Sequence, residues 1–159
     1  MDSPFELKLK KTSEDGKVRL CAFLKNISSS AQFFHHSFMY QASELVLIAQ
    51  SDVEIFGYDY RERKDYDHTI YYLDDYLSLD PNEEIELDST FIGQQTPGSP
   101  IISWGPFQFN DLKKGSYCAY VIFESLCDSW VDQKTHVSNK IENIWLGKLK
   151  SNLVTLEID

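Results

Sequence analysis

Cysteine and histidine are the residue types of this chain that would carry the most distinctive chemistry. A nucleophilic thiol needs a base and an electropositive pocket. The sequence places neither near Cys118 or Cys127, and Cys21 lies within a predicted strand. His35 and His36 are adjacent, so they would point to opposite sides of a strand and could not face one metal ion without a kink. The sequence therefore predicts no catalytic residue, no cofactor and no metal site.

Carboxylates gather between positions 52 and 75, where they could surround a calcium ion. Their spacing does not match an EF-hand loop, and the basic residues Arg61, Arg63 and Lys64 lie among them. The chain also lacks a glycine-rich phosphate loop, a G-x-S-x-G elbow and a C-x-x-C pair. We therefore expect a protein that is not an enzyme, with a metal-dependent enzyme or a calcium-regulated domain as the minor alternative.

Aromatic residues beside carboxylates favour a protein-binding surface. Trp130 lies between Asp128 and Asp132, and tyrosines interleave with acids across positions 58–76. Tryptophan and tyrosine are preferred interface anchors because one side chain buries a large rigid area. For Trp104 and Trp130, packing under their own loops is the alternative. The predicted partner contacts are Trp130, Asp128, Asp132, Trp104, Tyr58, Tyr60, Tyr66, Asp67, Asp74 and Asp75.

The charge of the chain limits the kinds of partner. Twenty-five acidic and fifteen basic residues give a formal net charge of −10, which repels nucleic acid and anionic lipid surfaces. A basic protein partner fits this charge, although the same acidity also promotes solubility. The sequence has neither the apolar region of a signal peptide nor an apolar run near the ~18 residues of a membrane span. Since three cysteines cannot all pair, we expect a cytoplasmic protein.

Alternating apolar and polar residues predict strands that would position any such surface. This pattern covers Phe5–Lys10, Lys17–Ile27 and Glu83–Phe91, where Ile85, Leu87 and Phe91 share one face. The 159 residues fit a single domain, 1–159, of about eight or nine strands with little or no helix.

Two segments do not fit this simple frame. Ala31–Tyr40 is apolar and aromatic without a clean period, so it is either a buried strand or an exposed aromatic patch. Leu126–Asn143 is long, polar and of mixed charge. Because binding residues are common on such connections, we expect the function to lie there.

Three motifs resemble those of known β-sandwiches. In Asp111–Ser125, the pattern L-x-x-G-x-Y before an alternating strand resembles the tyrosine corner of immunoglobulin-like and fibronectin-type domains. Trp145–Ile158, together with Asp80–Leu87, resembles the C-terminal half of bacterial immunoglobulin-like domains. The resemblance implies an all-β, immunoglobulin-like antiparallel β-sandwich, in which the Tyr117 hydroxyl bonds backbone a few residues upstream.

The phase of the corner strand bears on the cysteines. Tyr117, Ala119, Val121 and Phe123 are predicted to face inward, and Ala119 stands where antibody-type domains carry a bridged cysteine. Cys118 and Cys21 are out of phase with their apolar neighbours, so we expect them on opposite outer faces without a disulfide.

The last strand changes phase at Ser151-Asn152. The inward-type residues before this pair share one face of the strand, and those after the pair share the opposite face. A bulge or crossing at the pair would let both halves face the core.

These features predict a non-enzymatic protein-binding domain. An inhibitor or immunity protein that occludes a basic toxin or a peptidase fits the size and the charge, and the resemblance includes inhibitors among its members. The alternative is a structural or adhesion-type module that assembles through edge strands.

Overall fold

The computed structural model describes residues 2–36, 43–59, 73–93 and 99–159. These residues form fifteen strands and no α-helix, and all strand pairs are antiparallel. One 3₁₀ turn, Leu73–Asp75, precedes the seventh strand. No helix in this described part of the chain has the length and apolarity to cross a membrane. The all-β class is thus confirmed, and the described strands outnumber the eight or nine expected.

The strands follow one another along the chain with short connections where both ends are described. In order, they are β1 (Phe5–Glu14), β2 (Lys17–Asn26), β3 (Gln32–His35), β4 (Glu44–Ala49), β5 (Glu54–Phe56), β6 (Tyr58–Asp59), β7 (Tyr76–Leu79), β8 (Glu84–Phe91), β9 (Ile102–Trp104), β10 (Phe107–Phe109), β11 (Gly115–Ser125), β12 (Ser129–Val131), β13 (Ser138–Lys140), β14 (Gly147–Lys150) and β15 (Val154–Ile158).

The strands form five sheets. Two have three strands, in the orders β1-β2-β8 and β6-β10-β9. A five-stranded sheet runs β14-β11-β4-β5, with β15 also paired to β11. The pairs β3-β7 and β12-β13 complete the set. The described part of Ala31–Tyr40 contains a strand, β3, whose Phe34 and His35 are buried while Phe33 is exposed. Residues 37–40 of this segment lie outside the described residues.

The first hairpin follows its sequence pattern. Phe5, Leu7 and Leu9 are buried at every second position of β1, as alternation predicts. Asp15 and Gly16 have positive φ angles of 50° and 77°, so a two-residue turn of the type that suits strand twist joins β1 to β2.

The tyrosine corner is confirmed as a local structure. The Tyr117 hydroxyl donates a hydrogen bond of 2.6 Å to the carbonyl of Lys113, four residues upstream. Tyr117, Ala119, Val121 and Phe123 are all buried, as their phase predicts.

The phase change at Ser151-Asn152 is confirmed as a bulge. β14 and β15 both pair with β11, but their registers differ by one residue. The Ser151 hydroxyl accepts the Val121 N–H, and the Asn152 side chain exchanges two hydrogen bonds with the backbone of Leu9. Both halves of the last strand therefore pack against the core.

A second bulge corrects the prediction for β8. The register with β2 shifts between Ala22 and Phe23, which leaves Leu87 as the extra residue. Both Leu87 and Asp88 are therefore buried, and Phe91 is exposed where alternation predicted an inward position.

Buried side chains of these sheets form one hydrophobic cluster, which includes Phe5, Leu24, Phe34, Leu47 and Phe123. All three cysteines are free. Cys21 lies outside this cluster, as its phase predicts, but its thiol is covered and not at an open surface. Its neighbours across the sheet, Lys10 and Ser89, lie on either side of it, and burial raises the pKa of the thiol.

Candidate functional site

Two parts of the chain that are distant in sequence meet at the candidate site. The first is the 3₁₀ turn with β7, and the second is the β12-β13 hairpin of the long segment 126–143. The hydroxyl of Tyr76 in β7 donates a hydrogen bond to the carbonyl of Ser129 in β12. Burial is the main cause that raises the pKa of the Tyr76 phenol, so this hydroxyl keeps its proton and stays a donor.

Asp132 organises the loop that joins β12 to β13. Its carboxylate accepts hydrogen bonds from the backbone N–H groups of Lys134 and Thr135, at 2.7 and 3.0 Å. The hydrogen bond from Thr135, then that from Lys134, lowers the pKa of this carboxyl group. The backbone of Asp132 also bonds Val137 and His136. The hairpin loop is thus held by an Asx-type arrangement.

A surface groove of about 230 Å³ lies where the two parts meet. Leu73 and Asp74 of the 3₁₀ turn form one part of its lining, and Trp130, Val131 and Gln133 form the other. Leu73 is 53% exposed, whereas Trp130 is half-buried. The groove therefore combines a partly accessible indole with apolar and acidic side chains.

Two polar side-chain groups of the described groove lining are not used by the fold. Within the described ranges, neither the Asp74 carboxylate nor the Trp130 indole N–H takes part in a hydrogen bond or an ion pair. Asp132 and Tyr76, by contrast, are bonded to backbone beside the groove. The neighbouring residues hold the groove together, and the groove itself presents free polar groups.

The two described segments that form the groove are acidic. The segments 73–79 and 126–140 carry four carboxylates, which belong to Asp74, Asp75, Asp128 and Asp132, and two lysines. Lys140 approaches Asp128 to 3.9 Å and is highly exposed, so this ion pair adds little. The excess of carboxylates attracts a cationic group.

The structure sorts the ten predicted contact residues into separate groups. Trp130 and Asp74 line the groove, and Asp75, Asp128 and Asp132 lie in the two segments that form it. Tyr58 lies in β6, which belongs to a different sheet. Tyr60, Tyr66 and Asp67 lie outside the described residues.

Trp104 is not available as a contact residue, which corrects that part of the prediction. Its side chain is fully buried in the hydrophobic cluster, and its indole N–H donates to the Ser43 hydroxyl at 3.1 Å. The two-residue turn at Gly105-Pro106 returns the chain into β10 and keeps Trp104 inside. The core alternative is therefore correct for this tryptophan.

Leu73, Val131 and Gln133 were not predicted from the sequence. No pattern distinguishes them from other exposed loop residues, because the groove depends on the contact between β7 and β12. The interleaving of tyrosine with acids did single out the region of Tyr76, which makes that contact.

A buried polar network lies elsewhere in the fold. The Ser43 hydroxyl donates to the Asp88 carboxylate and accepts from Trp104, and all three residues are buried. Burial raises the pKa of Asp88 from 3.8 to about 6, although the hydrogen bonds from Ser43 oppose this shift. The network satisfies the indole N–H and brings no nucleophile to an accessible surface.

The adjacent histidines His35 and His36 do not line the groove. The His35 ring is buried against Tyr76, whereas the ring of His36, one residue past β3, contacts the core residue Phe123. In the part of the chain that the structure describes, no three His, Cys, Asp or Glu side chains group closely enough to hold a metal ion.

Neither the models of known protein families nor the sequences of curated proteins match this chain. Any functional proposal therefore depends on the fold and on the residues of the groove.

Proposed function

We propose that this chain is a non-enzymatic protein-binding domain that occludes a basic protein partner, such as a toxin or a peptidase, in the cytoplasm. The observation that carries the proposal is the groove in which Trp130 and Asp74 meet. These two residues come from the two segments whose composition favours an interface, and their polar groups are free of hydrogen bonds within the described residues.

The proposed architecture is a single immunoglobulin-like β-sandwich. The antiparallel sheets, the Tyr117 corner and the bulge at Ser151 in the last strand support it. In such a frame the β12-β13 hairpin is an addition to the minimal domain. Additions of this kind are common binding elements because a rigid scaffold positions them.

The proposed mechanism is steric occlusion. Trp130 supplies a large rigid anchor with little conformational entropy to lose, because the hairpin that carries it is already fixed by Asp132 and Tyr76. When the partner binds at the groove, the hairpin and the adjacent 3₁₀ turn of this chain would block the cleft of the partner. No bond is made or broken in this mechanism.

Electrostatics would bring the partner to the groove. The net charge of −10 and the acidic surroundings of the groove create a field that speeds association with a basic surface. The same field opposes binding to nucleic acid and to anionic membranes. Association should therefore slow as the ionic strength increases.

Capture from a lysate of the source cells tests the proposal. Wild-type protein, Trp130→Ala and Phe56→Ala serve as baits, since Phe56 is an exposed aromatic residue of β5, in another sheet. We expect wild type and Phe56→Ala to retain a basic protein that Trp130→Ala loses. The purified partner should then lose its activity when wild-type protein is added. Equal capture by all three baits, or full activity of the partner in the complex, would contradict occlusion through the groove.

A further inference from the structure

We infer that the groove recognises an arginine side chain of the partner, which stacks on the Trp130 indole while its guanidinium group donates to the Asp74 carboxylate. This inference rests on the proposed function, because it names the group that the partner inserts. The occupant is thus a protein with an exposed arginine, and the lining of the groove supplies the argument.

The lining suits a side chain with an apolar stem and a polar end. Leu73, Val131 and the Trp130 ring provide apolar surface, and Asp74 and Gln133 provide acceptors. Arginine has a three-carbon stem that packs on apolar surface and a head that donates five N–H bonds. An aliphatic side chain would instead remove water from the Asp74 carboxylate without replacing its hydrogen bonds, which is unfavourable.

The charges around the groove select a cation. Four carboxylates and two lysines lie in the segments that form it, so an acidic side chain is repelled. The Asp74 carboxylate has no cationic partner among the described residues, so it is available to a cation from outside. The groove is open to solvent.

Arginine fits the groove better than lysine does. A guanidinium group is planar, so it stacks on an indole and forms two parallel hydrogen bonds with one carboxylate. The lysine ammonium group is a compact and strongly hydrated charge that cannot do both. The combination of Trp130 and Asp74 in one groove therefore favours the planar cation.

Nuclear magnetic resonance of the tryptophan indole N–H groups tests this assignment. The Trp130 signal is identified by its loss in Trp130→Phe, and the probes are blocked Gly-Arg-Gly, Gly-Lys-Gly and Gly-citrulline-Gly peptides. Citrulline has nearly the shape of arginine but no charge. We expect a saturable shift of the Trp130 signal with the arginine peptide, weaker binding of the lysine peptide and no binding of the citrulline peptide. Asp74→Asn should weaken arginine binding about tenfold, whereas Asp159→Asn, at an exposed terminal position, should leave it unchanged.

Three results would overturn the inference. These are an unmoved Trp130 signal with the arginine peptide, equal binding of the lysine or citrulline peptide, and an unchanged affinity in Asp74→Asn. Failure here is separable from failure of the proposed function. If the captured partner still requires Trp130 while the arginine peptide does not bind, the binding function stands and arginine recognition is wrong.

Discussion

The hydroxyl of Tyr76 lies 2.5 Å from the carbonyl oxygen of Ser129, fifty-three residues away in sequence, and donates a hydrogen bond to it. This contact joins the strand after the acidic 3₁₀ turn to the hairpin that carries Trp130. One wall of the groove comes from the 3₁₀ turn that precedes this strand, and the other comes from the hairpin. The geometry of the groove therefore depends on a hydrogen bond between two segments that are far apart in the sequence.

Replacement of Tyr76 by phenylalanine should loosen the groove. The variant loses the bond to Ser129 and leaves that carbonyl without this donor, so we expect a loss of about 1 kcal/mol in the free energy of unfolding. Affinity for the captured partner should fall as well. Tyr120→Phe is the matched control, because its hydroxyl bonds Glu54 in a different sheet. Equal affinity of the two variants would show that the Tyr76 contact does not shape the binding surface.

The buried Asp88 should make stability depend on pH. Its pKa is raised from 3.8 to about 6 in the folded protein, so between these values the folded state holds a proton that the unfolded state has released. The contribution of this group to stability is therefore present below about pH 4 and is lost as pH rises through 6. Denaturant unfolding across this range should show wild type losing about 3 kcal/mol relative to Asp88→Asn. Parallel pH profiles of the two proteins would contradict this account.

Asp132 should fix the hairpin loop only while its carboxyl group is ionised. Hydrogen bonds from Thr135 and Lys134 lower the pKa of the Asp132 carboxyl group. These bonds therefore hold the loop at pH values above the ordinary pKa of an aspartate, and the loop is released as the pH falls through the lowered pKa. Asp132→Ala should speed hydrogen exchange at both amides at neutral pH. Asp132→Asn keeps an acceptor and should have a smaller effect. Unchanged exchange in Asp132→Ala would mean that other contacts hold the loop.

The tyrosine corner should stabilise the fold without affecting the groove. Tyr117→Phe removes the bond to the Lys113 carbonyl and should lower the free energy of unfolding by about 1 kcal/mol. Partner affinity should not change, because neither Tyr117 nor Lys113 lines the groove. Urea denaturation and a binding titration on the same preparation measure both quantities. A loss of affinity without a loss of stability would contradict this separation.

Local sequence patterns correctly predicted the features that depend on residues close together in the chain. The alternation of Phe5, Leu7 and Leu9 and the phase change at Ser151-Asn152 follow from strand geometry, and the structure confirms them. The hydroxyl bond of Tyr117, which the resemblance to immunoglobulin-like domains implies, is also present. Each depends on neighbours within a few residues or on one buried face. The sequence predicts a long polar connection from Leu126 to Asn143 and does not predict its β12-β13 hairpin.

Sequence patterns do not predict the features that depend on residues far apart in the chain. The bulge at Leu87 turns Asp88 inward, where Ser43 and Trp104 complete a network that no local pattern encodes. The phase of Cys21 predicts an outer face, yet the residue is 2% exposed. The groove itself was unforeseen because its walls meet only through tertiary contact, although two of its five lining residues had been named.

The central claim is that the groove, and no other face, binds the partner. Calorimetric titration of the purified partner with wild type, Asp74→Lys and Asp159→Lys tests it most directly, since both variants reverse one exposed carboxylate and only Asp74 lines the groove. We predict that Asp74→Lys lowers affinity by at least about tenfold, while Asp159→Lys stays close to wild type. Equal affinity of the two variants would contradict the account.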